Sequence, residues 1–254
     1  MCILAWHWAS GTATPLTLIA NRDEFYVRPT LPLHLWPDSG IAAGKDLQGG
    51  GTWLGVSDKG CLAALTNYRT PTAQRLDTPS RGELVSAFLA GTNTAMDYAN
   101  QLAARAANYN AFNLLLYDGS DLVGIESRHA LVKRLQPGFG VVSNADFHTP
   151  WPKAVTLLER LQQQLQAGPL DHHGLAALLR DETLVEDDLL PQTGVGMEFE
   201  RALSALFVKM PAYGTRASSV VTVHTSHIDF SEYSFDAQGP TGLQQLKVKT
   251  QPAV

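Results

Sequence analysis

Cys2 stands directly behind the initiator methionine, and Asn21-Arg22-Asp23-Glu24 sets an amide, a cation and two carboxylates in consecutive positions. These residues are the ones best suited to act together chemically. A methionine followed by a residue as small as cysteine is ordinarily trimmed, so a mature chain beginning at Cys2 is expected. That residue would carry both a nucleophile and a base. A free thiol titrates at roughly 8.5 and a free α-amine at roughly 7.7–8.0, close enough for the amine to take the thiol proton. A neighbouring cation would favour the thiolate. The plainer reading is a small hydrophobe buried in a strand.

The two stretches must meet for this chemistry to run. Residues 2–9 and 15–20 are apolar runs separated by Ser10-Gly11-Thr12-Ala13-Thr14. That pattern predicts two strands around a polar turn, which returns Asn21 to Glu24 to the side of Cys2. Residues 25–52 are rich in Pro and Gly, which excludes helix and predicts loops with short strands. Gly49-Gly50-Gly51 matches neither a dinucleotide fingerprint nor a phosphate loop, and is read as a tight turn with close backbone approach. Two short strands follow around Lys59-Gly60, ending at Asn67.

Further along, Ser80 and Glu83 have the spacing of a capping box. The helix they would open carries Leu84, Val85, Phe88 and Leu89 on one face. A second helix is predicted over 94–107, then strands over 112–117, 122–126, 131–135 and 141–143. Helices over 153–166, 172–182 and near 198–206 precede strands within 219–235. The tail after Gly239 reads as loosely ordered, with 243–249 as a potential edge strand. Without a repeat or low-complexity linker, 1–254 reads as a single domain. The order of elements suggests a layered α+β fold.

Composition narrows the function. With 44% hydrophobic and 17% charged residues the chain can bury a full core. A net charge of −5 and the lack of a basic stripe argue against nucleic-acid binding. Two cysteines, Cys2 and Cys61, make neither a disulfide framework nor a zinc site. The first residues lack the basic n-region and long apolar core of a signal peptide, and no apolar run approaches the length a membrane helix needs, so no stable membrane insertion is expected. A cytoplasmic location is expected.

Together, Met1-Cys2, Asn21-Arg22-Asp23-Glu24, Gly50-Gly51-Thr52-Trp53-Leu54-Gly55, Thr66-Asn67-Tyr68-Arg69, Ser80-Arg81-Gly82, Val142-Ser143-Asn144 and Tyr213-Gly214-Thr215-Arg216-Ala217-Ser218-Ser219 resemble the NRDE-motif family. This family is also called transport and Golgi organisation protein 2-like. It is similar in turn to N-terminal-nucleophile (Ntn) hydrolases of the cholylglycine hydrolase and penicillin V acylase type. The resemblance implies a four-layer αββα sandwich. It also implies Cys2 as nucleophile, Arg22 and Asp23 flanking the thiol and holding the amine, and Asn67 and Asn144 as oxyanion donors. Arg216 would polarise the nucleophile. One departure is that Asp23 follows Arg22 directly, where the acylases space the pair further apart, so Glu24 could share its role.

The expected reaction is cleavage of a non-peptide amide or other acyl bond, with no cofactor. The competing class is a carrier of haem, acyl-CoA or lipid on the same scaffold, with Arg22, Arg69 or Arg216 pairing a ligand's acidic groups. Each residue also has a plainer role: Asn67 and Asn144 as turn residues, Arg22 in a structural ion pair, Arg216 as a surface charge, and Trp53 in the core rather than stacked on ligand. His224 and His227, read as an i, i+3 pair on one strand, would point to opposite faces. No metal site is expected.

Overall fold

The computed structural model describes residues 1–168 and 170–250. The apolar runs at the start form β1 (Cys2–Trp8) and β2 (Leu16–Phe25), an antiparallel hairpin with Cys2 opposite Arg22. Alternation along a strand sends successive side chains to opposite faces. Leu4, Trp6, Leu18 and Ala20 therefore enter one core while Ile3, Ala5 and Ile19 enter another. Both faces are buried, which is why the runs read as continuously apolar.

The Pro- and Gly-rich region holds β3 (Thr30–Leu35) and β4 (Ile41–Asp46), followed by β5 (Leu54–Ser57) and β6 (Leu62–Asn67). Next come α1 (Gly82–Ala90), α2 (Ala95–Ala103), β7 (Phe112–Tyr117), β8 (Leu122–Glu126), β9 (Leu131–Arg134) and β10 (Gly138–Val142). After α3 (Pro152–Ala167), α4 (His172–Ala177) and α5 (Met197–Ala202), the chain ends in β11 (Tyr213–Val223), β12 (His227–Asp236) and β13 (Gly239–Lys249).

These strands make two antiparallel sheets, one ordered β10-β1-β2-β11-β12-β13 and the other β3 to β9 in sequence. Leu4, Trp6, Leu54, Leu115 and Phe230 fill the space between them. Leu84, Phe88, Ala99 and Leu102 of α1 and α2 cover the outer face of the seven-stranded sheet. Ala154, Leu157, Leu161 and Leu175 of α3 and α4 cover the other. This is the four-layer αββα arrangement.

Several boundaries differ from those the sequence suggests, each for a local reason. Asn21 to Glu24 lie inside β2, because pairing with β11 continues to Phe25. The capping box does not form: the Glu83 carboxylate accepts from Tyr109 Oη at 2.6 Å, and Ser80 Oγ accepts from the Gly82 amide. The tail is ordered from Gly239 as β13: the edge strand read over 243–249 forms and begins earlier, exposed and held by its backbone ladder to β12. Its side chains bury little, so hydropathy is nearly silent there. Residues 251–254 of that tail lie outside the described residues. His224 and His227 do not share a strand; they flank the β11–β12 turn and their rings stack 4.4 Å apart.

The Gly49–Gly51 turn does bring backbones together. Gly50 has φ +76°, and a Cβ on Gly51 would stand 2.3 Å from the Gly82 carbonyl carbon. A Gly51→Ala substitution must therefore push α1 and its leading residues away from the second sheet. Overpacking of this kind typically costs about 1–3 kcal/mol. The variant is expected to melt several degrees below the parent in thermal unfolding; an unchanged melting temperature would show that the approach is slack.

Candidate active site

Cross-strand partners share a face, so the pairing of Cys2 with Arg22 puts thiol and guanidinium on the same side of the sheet. That side opens into a cavity of about 1000 Å³ between the sheet ends, lined by Cys2, Arg22, Trp53, Asn67, Arg81 and Arg216 among others. Arg22 is held by carboxylates, 3.5 Å from Asp46 and 3.8 Å from Glu24. Arg28 makes a tighter bond to Asp46 at 2.7 Å. Burial opposes ionisation of Asp46, yet these bonds and the Gly49 amide hold its carboxyl below the usual range.

Asp23, one residue on, turns its carboxylate to the helix-covered face. Oδ1 accepts from Thr215 Oγ1 at 2.7 Å, while Oδ2 is buried without a partner. What holds an amine is the Asp23 carbonyl, which accepts from the Met1 ammonium and from Tyr213 Oη. Tyr213 Oη accepts from the same ammonium at 2.7 Å. The Met1 side chain packs beside Leu203, Val208 and Tyr213. The expectation concerned the Cys2 amine; the contact present is between the Asp23 carbonyl and the Met1 ammonium. In this state burial pushes the Cys2 thiol up, with Asp23 and Glu24 adding to the effect and the terminal amine and Arg22 opposing it. The thiol is therefore protonated at neutral pH.

The two expected oxyanion donors are in different positions. Asn67 ends β6 on the cavity wall. Asn144 is fully buried: its Nδ2 donates to the Asn67 carbonyl at 2.8 Å, and its Oδ1 accepts from Ser143 Oγ, which also reaches the Cys2 carbonyl at 3.2 Å. Asn144 therefore fixes Asn67 against the Cys2 strand. Asn21 is wholly structural, donating to the Leu179 and Leu206 carbonyls and accepting from Ser218.

The remaining cations divide as well. Arg216 sits at a bulge where β11 slips register between Thr215 and Ala217. Its guanidinium is spent on main-chain carbonyls of Phe25, Tyr26, Arg28 and Phe235. It ties strands together at the cavity edge rather than reaching for the thiol. Arg69 is outside this cavity, buried against Trp151 and paired with Glu200 at 2.7 Å. Trp53 packs on the inter-sheet core and lines the cavity.

Three residues at or behind the site lie outside the expected site residues. Arg81, just before α1, lines the cavity and donates to the Ala111 carbonyl. Lys153 is buried with Nζ unpartnered, and burial pushes its pKa down to about 8. A lysine in the first turn of a helix opposes the macrodipole, and that is the one sequence signal for it. Glu232 lines the cavity and accepts from the Leu33 amide; burial pushes its pKa up to about 7. Alternation with Ile228 and Phe230 marks Glu232 as facing inward. Among the described residues, the one metal-competent cluster is His224, His227 and Asp229.

The sequence profile of the family described as "Transport and Golgi organisation 2" matches residues 1–237. The "Transport and Golgi organization protein 2 homolog" of Bos taurus is 35% identical over 268 residues, covering 95% of each chain. Its Homo sapiens counterpart is 35% identical over 262 residues, covering 92% of this chain and 93% of its own. Among solved structures, a C2A mutant of conjugated bile acid hydrolase from Clostridium perfringens superposes with a TM-score of 0.55 over 97% of this chain and 92% of its own, at 8% identity. The likeness is one of fold, an Ntn-hydrolase-like sandwich.

Two stability measurements check this geometry. Glu232 binds its proton more tightly folded than unfolded, so the penalty of burying its charge is absent at low pH and stability falls as pH rises from about 4.5 to about 7. Glu232→Gln is expected to flatten the dependence of melting temperature on pH between 5 and 8; an unchanged slope would contradict the assignment. Glu200→Gln leaves Arg69 buried with only a weak partner, and losing one member of such a pair typically costs about 3–5 kcal/mol. Denaturant unfolding is expected to show a loss on that order, against near-neutrality for a rim pair such as Arg201–Asp187.

Proposed function

The chain belongs to the Transport and Golgi organisation 2 family, and we propose that it is an Ntn-type cysteine amidohydrolase acting on a small non-peptide amide or related acyl compound. Removal of Met1 frees the Cys2 amine and takes away the ammonium that the Asp23 carbonyl and Tyr213 Oη hold now. The amine takes the thiol proton, and the thiolate attacks the substrate carbonyl, forming a C–S bond. Asn67 donates to the developing oxyanion, and Arg22 favours the thiolate. Collapse breaks the C–N bond, the α-ammonium protonates the leaving amine, and water then hydrolyses the thioester to a carboxylic acid and restored thiol. The observation that carries this reading is the cross-strand pairing of Cys2 with Arg22 on the wall of a cavity of about 1000 Å³. The bile acid hydrolase that shares the fold supports it.

A second reading rests on the cavity mouth, where exposed Phe25, Leu31 and Phe199 stand beside Arg28 and Arg81. That combination suits an amphipathic ligand such as haem, acyl-CoA or lipid, with acidic groups on the guanidiniums. Among the described residues lining the cavity there is no histidine, so iron would look to Met1, Cys2 or a tyrosine.

A panel of N-acyl amides assayed with protein lacking Met1 separates the two. Turnover is expected in the parent, to vanish in Cys2→Ala, and to fall by about 10²–10³ in Asn67→Ala, the usual loss for one oxyanion donor. Full activity in Cys2→Ala would end the mechanism. Saturable hemin binding with a Soret band, with no amide turned over, would favour the carrier.

A further inference from the structure

At the far end of the sheet from Cys2, three potential ligands converge. The Nε2 atoms of His224 and His227 each lie 3.3 Å from the same oxygen, Asp229 Oδ2. All three ligand atoms fall within 4.8 Å of one another. A tetrahedral shell with bonds of roughly 2.0–2.1 Å spaces its donor atoms roughly 3.3–3.4 Å apart. The two histidine–aspartate separations therefore already match those of a bound zinc-like ion.

The surroundings orient the imidazoles for this task. Nδ1 of His227 contacts Ser226 Oγ at 3.1 Å, and Nδ1 of His224 faces Thr14 Oγ1 at 3.4 Å. Hydroxyl partners on Nδ1 leave Nε2 as the coordinating nitrogen, the arrangement that metal-binding histidines use. Lys247 Nζ approaches the other carboxylate oxygen, Oδ1, at 3.5 Å, so Oδ2 remains available. His172 lies close by but is engaged by Ser231 and Thr222.

We propose that His224, His227 and Asp229 form a binding site for a divalent transition metal such as Zn(II), clipping the tip of the β11–β12 hairpin. Two imidazoles and a carboxylate suit that class of ion and leave positions for water. Asp229 pairs across the hairpin with Thr222, five residues up β11 from the residue opposite Arg22. At about 3.4 Å per residue the site stands on the order of 20 Å from the thiol, so it is independent of the proposed acyl chemistry.

Metal-stripped protein titrated calorimetrically with Zn(II) is expected to take up one equivalent, with a raised melting temperature. His227→Gln and Asp229→Asn should each abolish that equivalent while keeping the metal-free circular dichroism spectrum and melting point. In the parent protein, the ring resonances of His224 and His227 should move first on Zn(II) addition. Absence of saturable uptake, uptake unaffected by either substitution, or shifts at other histidines first would overturn the site.

Discussion

The register of β2 against its two neighbours is the constraint on which the site depends. Arg22 lies opposite Cys2 on one side and Ala217 on the other. A slip of one residue would send every side chain of the strand to the opposite face. Cys2 and Arg22 would then look toward the helices, and Asn21 would lose the Leu179 and Leu206 carbonyls that anchor the outer layer. The apolar phase of Leu4, Trp6, Leu18 and Ala20 forbids that slip, because the space between the sheets accepts only that set. Core packing thus fixes the chemistry at the end of the same strands.

Around this frame the cavity gathers more ionisable groups than a core would tolerate without reason. Arg22, Arg28, Glu24 and Asp46 neutralise one another at its wall. Lys153 and Asp23 Oδ2 remain buried and unpaired behind it, and Glu232 is held close to its neutral form. Unsatisfied buried groups are costly and gather where function requires them. The thiol follows the same rule: burial keeps it protonated while the Met1 ammonium is bound at the Asp23 carbonyl, and freeing the amine of Cys2 itself would change that balance.

Much of this was legible in the residues. The β1–β2 hairpin followed from two apolar runs around a polar turn, and it alone brought Cys2 to Arg22. The αββα layering came through the resemblance and agrees with where the strands and helices fell. What failed to show were outcomes decided by distant partners. Nothing in Thr66-Asn67-Tyr68-Arg69 reveals that Arg69 will be buried against Glu200, 131 positions away. The bulge that turns Arg216 onto main-chain carbonyls needs the β2 register to be seen. Asn144 looked like a second oxyanion donor, and only its bond to the Asn67 carbonyl shows it as a brace. His224 and His227 misled because Thr225-Ser226 is a weak turn signal, so a four-residue turn read as a strand.

The most direct test of the nucleophile is the intact mass of protein isolated from its own cells, followed by brief, limiting iodoacetamide treatment near pH 6.5. Loss of Met1, with Cys2 alkylated far faster than Cys61, is the expected result, since a free α-amine beside Arg22 should generate thiolate below the ordinary thiol range. Retained Met1, or a Cys2 no faster than Cys61, would contradict the account and leave the cavity as a binding site alone.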